Sequence, residues 1–115
     1  MKNTPSALRT LEGKYQSLRQ SLAHIGYISQ GSVLDRSTLK APRSGYQWTR
    51  KVAGRTITVS LSPEQFQSLK QAVENERKLW KTIQQMEKLS RQILFETLPD
   101  TRRRKRLAKK VLGII

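Results

Sequence analysis

The chain has 115 residues, of which 36% are hydrophobic and only seven aromatic, so one domain with a modest core is expected and a large enclosed cleft is excluded. It has no cysteine, which rules out disulfides and thiolate metal sites. Its 23 Lys and Arg against 8 Asp and Glu give a formal charge of +15, a self-repelling surplus that calls for an anionic partner: nucleic acid first, an acidic membrane surface second, an acidic protein third.

The N-terminal stretch MKNTPSALRTLEGKYQSLRQ has no apolar run of signal-peptide type, and no segment has the length needed to cross a bilayer. A cytoplasmic location is expected, at the nucleoid if the ligand is DNA.

A first helix is expected from Pro5 to Ile25. Thr4 can cap it, and Pro5 suits the first turn, where its missing N–H has no partner anyway. Leu8, Leu11, Tyr15, Leu18, Leu22 and Ile25 recur at spacings of 3 and 4, which is a short seam of coiled-coil type. Gly26 ends it.

A small sheet follows over about residues 31–61. GSVLDRSTLK, residues 31–40, supplies one strand, and Pro42 to Gly45 make the turn out of it. Ala53 and Gly54 form a two-residue hairpin loop, with Gly54 able to take positive φ. That loop sets a register: Val52 faces Arg55, Arg50 faces Ile57, Trp48 faces Val59 and Tyr46 faces Leu61. One face then carries Tyr46, Trp48, Val52, Ile57, Val59 and Leu61, with Arg50 and Arg55 near the tip. The other carries Gln47, Thr49, Lys51, Thr56, Thr58 and Ser60. A slip of one residue would mix the two sets.

The next helix has a strong start signal. Ser62 is the cap, Pro63 fills the first turn and Gln65 completes a capping box. It then runs without Gly or Pro to Leu98, before Pro99. Phe66, Leu69, Val73, Trp80 and Ile83 form an apolar stripe, continued by Met86, Leu89 and Ile93, and Glu76 interrupts it. Glu74 with Lys78 and Glu87 with Arg91 are i,i+4 pairs. About 35 residues at 1.5 Å each extend roughly 50 Å, so the far half needs the first helix or a second protomer to cover it. The two seams suggest either an intramolecular helix pair or a homodimer, the dimer first.

The tail, DTRRRKRLAKKVLGII, is basic and amphipathic. Asp100 can cap a third helix, and Leu107, Val111, Ile114 and Ile115 fall on one side of it. The fold class expected is therefore α+β: an N-terminal helix, a small three-stranded antiparallel sheet, a long helix and a basic C-terminal helix or tail. Residues 1–98 form the domain and 99–115 the appendage.

Three motifs, GSVLDR, GYQWTRKVAGRTITVSLSPEQ and VENERKL, together resemble a family of small bacterial domains of unknown function that are often encoded beside transposases. The likeness covers about residues 26–94 and implies association with mobile DNA, without an activity. Members of that family carry a cysteine-containing loop after the first strand and a Gly-Pro-Tyr before the next. Here the region is STLKAPRSGY, with no cysteine and with Ser44 ahead of Gly45 and Tyr46. A metal-bound loop is unavailable to this chain.

The charge is concentrated in two places. Residues 1–30 carry a net +3, 31–61 a net +5, 62–98 a net +1 and 99–115 a net +6. The long helix is nearly neutral scaffold. The candidate anion-binding residues are Arg36, Lys40, Arg43, Arg50, Lys51 and Arg55 on or beside the sheet, with Arg102, Arg103, Arg104, Lys105, Arg106, Lys109 and Lys110 in the tail. Cations on a hairpin can pair with successive phosphates, and Thr49, Thr56 and Thr58 add hydroxyl donors. The bland alternative is a merely solvated face. Tyr46 and Trp48 could stack on unpaired bases, but their alternation favours core packing against Phe66 and Leu69.

Enzymatic activity is not expected. The one histidine, His24, sits at a helix end, the acidic residues are scattered, and Gly31-Ser32 lacks the glycines and Lys of a phosphate loop. No cofactor or metal is expected. The function expected is a non-enzymatic nucleic-acid-binding accessory protein, for DNA before RNA, tied to a mobile element. The alternatives are a helical module that binds a protein such as a transposase, and an RNA-binding protein. A membrane-bound tail ranks below all of these, since four or five apolar side chains anchor weakly.

Overall fold

The computed structural model describes residues 5–99 and 108–113. Helix α1 (Pro5–Ser21) leads through a 3-10 turn (Leu22–His24) to strand β1 (Ser32–Asp35). A second 3-10 turn (Arg36–Thr38) precedes β2 (Tyr46–Val52) and β3 (Arg55–Leu61). Helix α2 (Pro63–Thr97) and a single-turn α3 (Lys109–Leu112) complete the chain. The sheet is antiparallel, in the order β1-β2-β3, and the fold class is α+β. Among the described residues no helix is long and apolar enough to cross a membrane.

Contacts divide the chain into two compact units. One is Ile25–Leu79; the other joins the described residues of 1–24 and 80–115. Helix α2 contributes its first part to the former and its second part to the latter.

In the sheet unit, the hairpin forms because Ala53 (φ 50°) and Gly54 (φ 78°) both take the left-handed conformation. That is the type I′ loop, whose twist matches the strands it joins. The resulting register pairs Val52 with Arg55, Arg50 with Ile57, Trp48 with Val59 and Tyr46 with Leu61, as the sequence pattern requires. On the other side of β2, Val33 faces Trp48 and Asp35 faces Tyr46. One face of the sheet is therefore apolar: Val33, Tyr46, Trp48, Val52, Ile57, Val59 and Leu61. The other holds Ser32, Gln47, Thr49, Lys51, Thr56, Thr58 and Ser60, with Leu34 among them.

Helix α2 starts on a complete capping box. The Gln65 N–H donates to Ser62 Oγ (3.1 Å), and the Ser62 N–H donates to Gln65 Oε1 (2.9 Å). Each exchange satisfies a donor that the first helical turn would leave bare. The start of α2 lies on the apolar face, where the rings of Tyr46 and Phe66 stack with centroids 4.4 Å apart. Phe66, Ala72 and Val73 are the buried core of the described residues. Full burial of a side chain the size of Phe or Val stabilises by about 2 kcal/mol, so this core is small. Ala72 is buried for a reason outside the helix: the extended segment before β1 lies against it. The Ser29 N–H donates to the Ala72 carbonyl (3.2 Å), and Asn75 Nδ2 donates to the Tyr27 carbonyl (2.9 Å).

The apolar face is covered at one end only. Val52, Ile57 and Val59 stay exposed, the last two at 37% and 43%. Trp48 is half-buried and is tied to the segment before β1. Its indole N–H donates to the Gln30 carbonyl (2.9 Å), and the Arg50 guanidinium lies 5.7 Å above its ring. Gly31 (φ +101°) makes room for this, since a Cβ there would collide with the Thr49 carbonyl and the Trp48 indole nitrogen.

In the helical unit, Leu8, Leu11, Tyr15 and Leu18 of α1 and Leu22 of the 3-10 turn are all half-buried, as are Ile83, Met86, Leu89 and Ile93 of α2. Tyr15, Leu22, Ile83 and Met86 line a common groove, which places the two seams together. None of the described residues of this unit is buried outright. Trp80, expected in the apolar stripe, is 55% exposed. α1 stops as an α-helix at Ser21, four residues short of the expected Ile25, because the backbone tightens into the 3-10 turn. Arg91, expected to pair with Glu87, donates from Nη2 to the Gly113 carbonyl (3.3 Å) at the end of α3. The expected caps Thr4 and Asp100 lie outside the described residues, as do Leu107, Ile114 and Ile115.

Candidate nucleic-acid interface

The sheet cations fall into two groups at opposite ends of the strands. Arg36, Lys40 and Arg43 belong to the β1–β2 connection, at the Tyr46 end of β2. Arg50, Lys51 and Arg55 flank the Ala53–Gly54 loop at the other end. The six steps from Tyr46 to Val52 separate these ends by about 20 Å at roughly 3.3 Å per residue. They also divide by face. Lys51 lies on the hydroxyl-rich face, and Arg50 and Arg55 lie on the apolar face.

Arg36 has a structural task. Its Nε donates to Gln47 Oε1 (3.1 Å) and its Nη2 to Ser60 Oγ (2.8 Å), so the guanidinium crosses the polar face from β1 to β3. Its backbone closes the connection too. The Arg36 N–H donates to the Gly45 carbonyl (3.0 Å), and the Arg36 carbonyl accepts from the Leu39 and Arg43 N–H groups (3.3 and 3.2 Å). Asp35 holds the turn from the other side. Its Oδ1 accepts from the Ser37 N–H (3.0 Å) and the Ser37 hydroxyl (2.7 Å). Those two hydrogen bonds, the hydroxyl's first, hold the Asp35 carboxyl below the ordinary value of 3.8.

Lys40 and Arg43 are exposed on this hydrogen-bonded turn, and Lys51 and Arg55 are exposed at the hairpin tip. Arg50 is half-buried over Trp48. Thr56, Thr58 and Ser60 of the polar face are exposed, and Gln47 and Thr49 are half-buried. Tyr46 stacks on Phe66 and is half-buried.

Of the tail cations, Lys109 and Lys110 are exposed on α3. Arg102, Arg103, Arg104, Lys105 and Arg106 lie outside the described residues. Among the described residues no group of three His, Asp or Glu side chains is placed to hold a metal ion. His24 is exposed at the end of its 3-10 turn.

Sequence reasoning missed the tasks of Arg36, Gly31 and Asn75, because each acts on a residue far along the chain. Only Gly31 left a local trace, a glycine directly ahead of a strand. No family model, curated protein or solved structure matches this chain.

Proposed function

We propose that this chain is a non-enzymatic nucleic-acid-binding accessory protein that binds duplex DNA and serves a mobile element. The observation that carries the DNA reading is the layout of the polar sheet face. Hydroxyl and amide side chains of β2 and β3 fill its middle, with Lys51 at one end and the exposed Lys40 and Arg43 at the other. A span of about 20 Å exceeds the roughly 12 Å width of a major groove, so cations at its ends reach the phosphate rows on both sides. Phosphate contacts fix position, and the hydroxyls between them face the base edges. Tail cations, Lys109 and Lys110 with Arg102 to Arg106, add affinity without sequence preference through counterion release. The mobile-element role rests on the motif resemblance over residues 26–94.

About six phosphate contacts give a slope near −5 in log K against log salt, at roughly 0.9 per contact. An electrophoretic shift series on a duplex from 50 to 200 mM salt measures it. Neutralising Arg102 to Arg106 together with Arg50, Lys51 and Arg55 removes the shift; undiminished binding by that variant sinks the proposal. Single-stranded DNA and duplex RNA serve as competitors, and either one outcompeting the duplex redirects the reading to that ligand.

A second reading, a helical adaptor for a protein such as a transposase, draws support from the half-buried seam of the helical unit. Capture of one defined protein from nuclease-treated lysate, with no DNA shift, favours it.

A further inference from the structure

Strand β3 presents an open edge. It pairs with β2 on one side, and among the described residues no strand lies on the other. The pair flanking a two-residue type I′ loop exchanges both of its hydrogen bonds, and such pairs alternate along the ladder. Arg55, Ile57, Val59 and Leu61 therefore turn their backbone groups toward β2. Thr56, Thr58 and Ser60 turn theirs outward, giving three N–H and three C=O groups at the edge.

Sheet proteins usually blunt such an edge with a Lys, a Pro, a bulge or shortness. The opposite edge obeys: β1 has four residues and runs straight into a 3-10 turn. β3 has seven residues, and its central five, Thr56 to Ser60, contain no charge and no proline. They are β-branched or hydroxyl residues throughout, well suited to continued pairing.

The geometry points to a two-fold dimer in which β3 pairs antiparallel with β3 of a second copy of this chain, centred on Thr58. This register places Thr58 opposite Thr58 and Thr56 opposite Ser60, and it uses all three outward N–H and C=O groups of each strand. A shift in either direction leaves some of them unpaired. On the apolar face it sets Ile57 against Val59 twice, so the exposed aliphatic side chains of the sheet meet across the axis.

Charge also fits a second copy. The one cation of β3, Arg55, falls opposite Leu61 of the other strand. The two Arg55 side chains stand six steps apart, about 20 Å at roughly 3.3 Å per residue. That is beyond the screening length of about 8 Å at physiological salt. The dimer joins two polar faces into one six-stranded surface with a Lys51 near each hairpin tip. It stands on strand geometry alone and holds whether or not the ligand is DNA.

The chain has no cysteine, so single-cysteine variants read the register cleanly. In a hydrogen-bonded antiparallel pair, facing Cα atoms lie about 5.5 Å apart, within the roughly 4.4–6.8 Å that a disulfide spans. Thr58→Cys therefore crosslinks to a dimer under mild oxidation. Thr56→Cys, on the same strand and face, puts its two thiols four steps apart, about 13 Å, and does not. The full-length protein, nuclease-treated in 0.5 M salt, is expected to show at least a ten-fold excess of crosslinked dimer for Thr58→Cys. Equal yields from the two variants, or none from either, overturn the proposal. Thr58→Pro removes the central outward N–H, which a free edge strand tolerates. It is expected to keep the wild-type circular dichroism and to sediment as a monomer where the wild type sediments as a dimer. A folded Thr58→Pro variant that still dimerises, or a wild type that is monomeric at 100-fold the working concentration, overturns the proposal equally.

Discussion

The rings of Tyr46 and Phe66 lie 4.4 Å apart and 27° from parallel, and this stacked pair joins the first residue of β2 to the first turn of α2. Phe66 is buried, and the other buried side chains, Ala72 and Val73, follow on the same helix. With so small a core, each member matters. Phe66→Ala is expected to cost about 3 kcal/mol, the low end for a buried Phe, because Tyr46 is only half-buried and water can reach the space left. Phe66→Leu should cost less than half of that. Urea denaturation of the two variants, with unchanged m-values, checks the order; equal losses would show that ring stacking and volume are not what Phe66 supplies.

Gly31 cannot be replaced quietly. Its φ of +101° suits glycine alone, and a Cβ would press on the Thr49 carbonyl and the Trp48 indole. Gly31→Ala is expected to lower stability by about 1–3 kcal/mol from backbone strain and to break the Trp48–Gln30 hydrogen bond. Near-ultraviolet circular dichroism, compared with that of a Trp80→Phe background, reports the loss at Trp48. An unchanged Trp48 signal would contradict the close approach.

The turn between β1 and β2 is expected to weaken in acid. The folded Asp35 carboxyl titrates below its ordinary value of 3.8, so the unfolded chain takes up the proton first as acid is added. Its stabilisation is whole above that value and fades as the pH falls through the lower folded value. The protection of the Ser37 and Leu39 amides, taken against their intrinsic exchange rate at each pH, should therefore fall below about pH 4, and Asp35→Asn should remove that loss of protection. The same dependence in Asp35→Asn would assign it to another group.

Arg36 and Lys51 share a face of the sheet and should behave differently. Arg36 bridges Gln47 and Ser60, so Arg36→Ala is expected to cost about 1–2 kcal/mol for hydrogen bonds made by a charged donor. Lys51 is exposed at the tip, and Lys51→Ala should leave the melting temperature within error while reducing the salt slope of DNA binding by about 0.9. Melting curves and shift assays on both variants separate the roles. A reduced slope in neither, or a destabilised Lys51→Ala, would remove Lys51 from the interface.

The contrast between these two residues marks what local pattern conveys. The hairpin register was legible because a two-residue loop and a period of two leave one solution. The capping box was legible because Ser62 and Gln65 act on each other's backbone three residues apart. Pattern assigns a residue to a face but not how far a neighbouring element reaches over it, so the exposure of Val52, Ile57 and Val59 was out of sight. Ala72 stands outside the apolar stripe and is buried, because Ser29, 43 positions earlier, comes to rest on it. Trp80 kept the helical spacing of the stripe and is exposed. The sheet cations looked like one cluster in sequence; the strands between them place them at two ends.

The loop of the hairpin has a last consequence. Among the described residues Ala53 is the one non-glycine with positive φ, and an L-residue with a Cβ holds that conformation at a penalty of about 1–2 kcal/mol. Asn in its place would relieve most of this, since Asn-Gly is the pair such a corner prefers. The basic tip is thus folded around a slightly reluctant hinge, and evolution has left unused a simple way to make it more rigid.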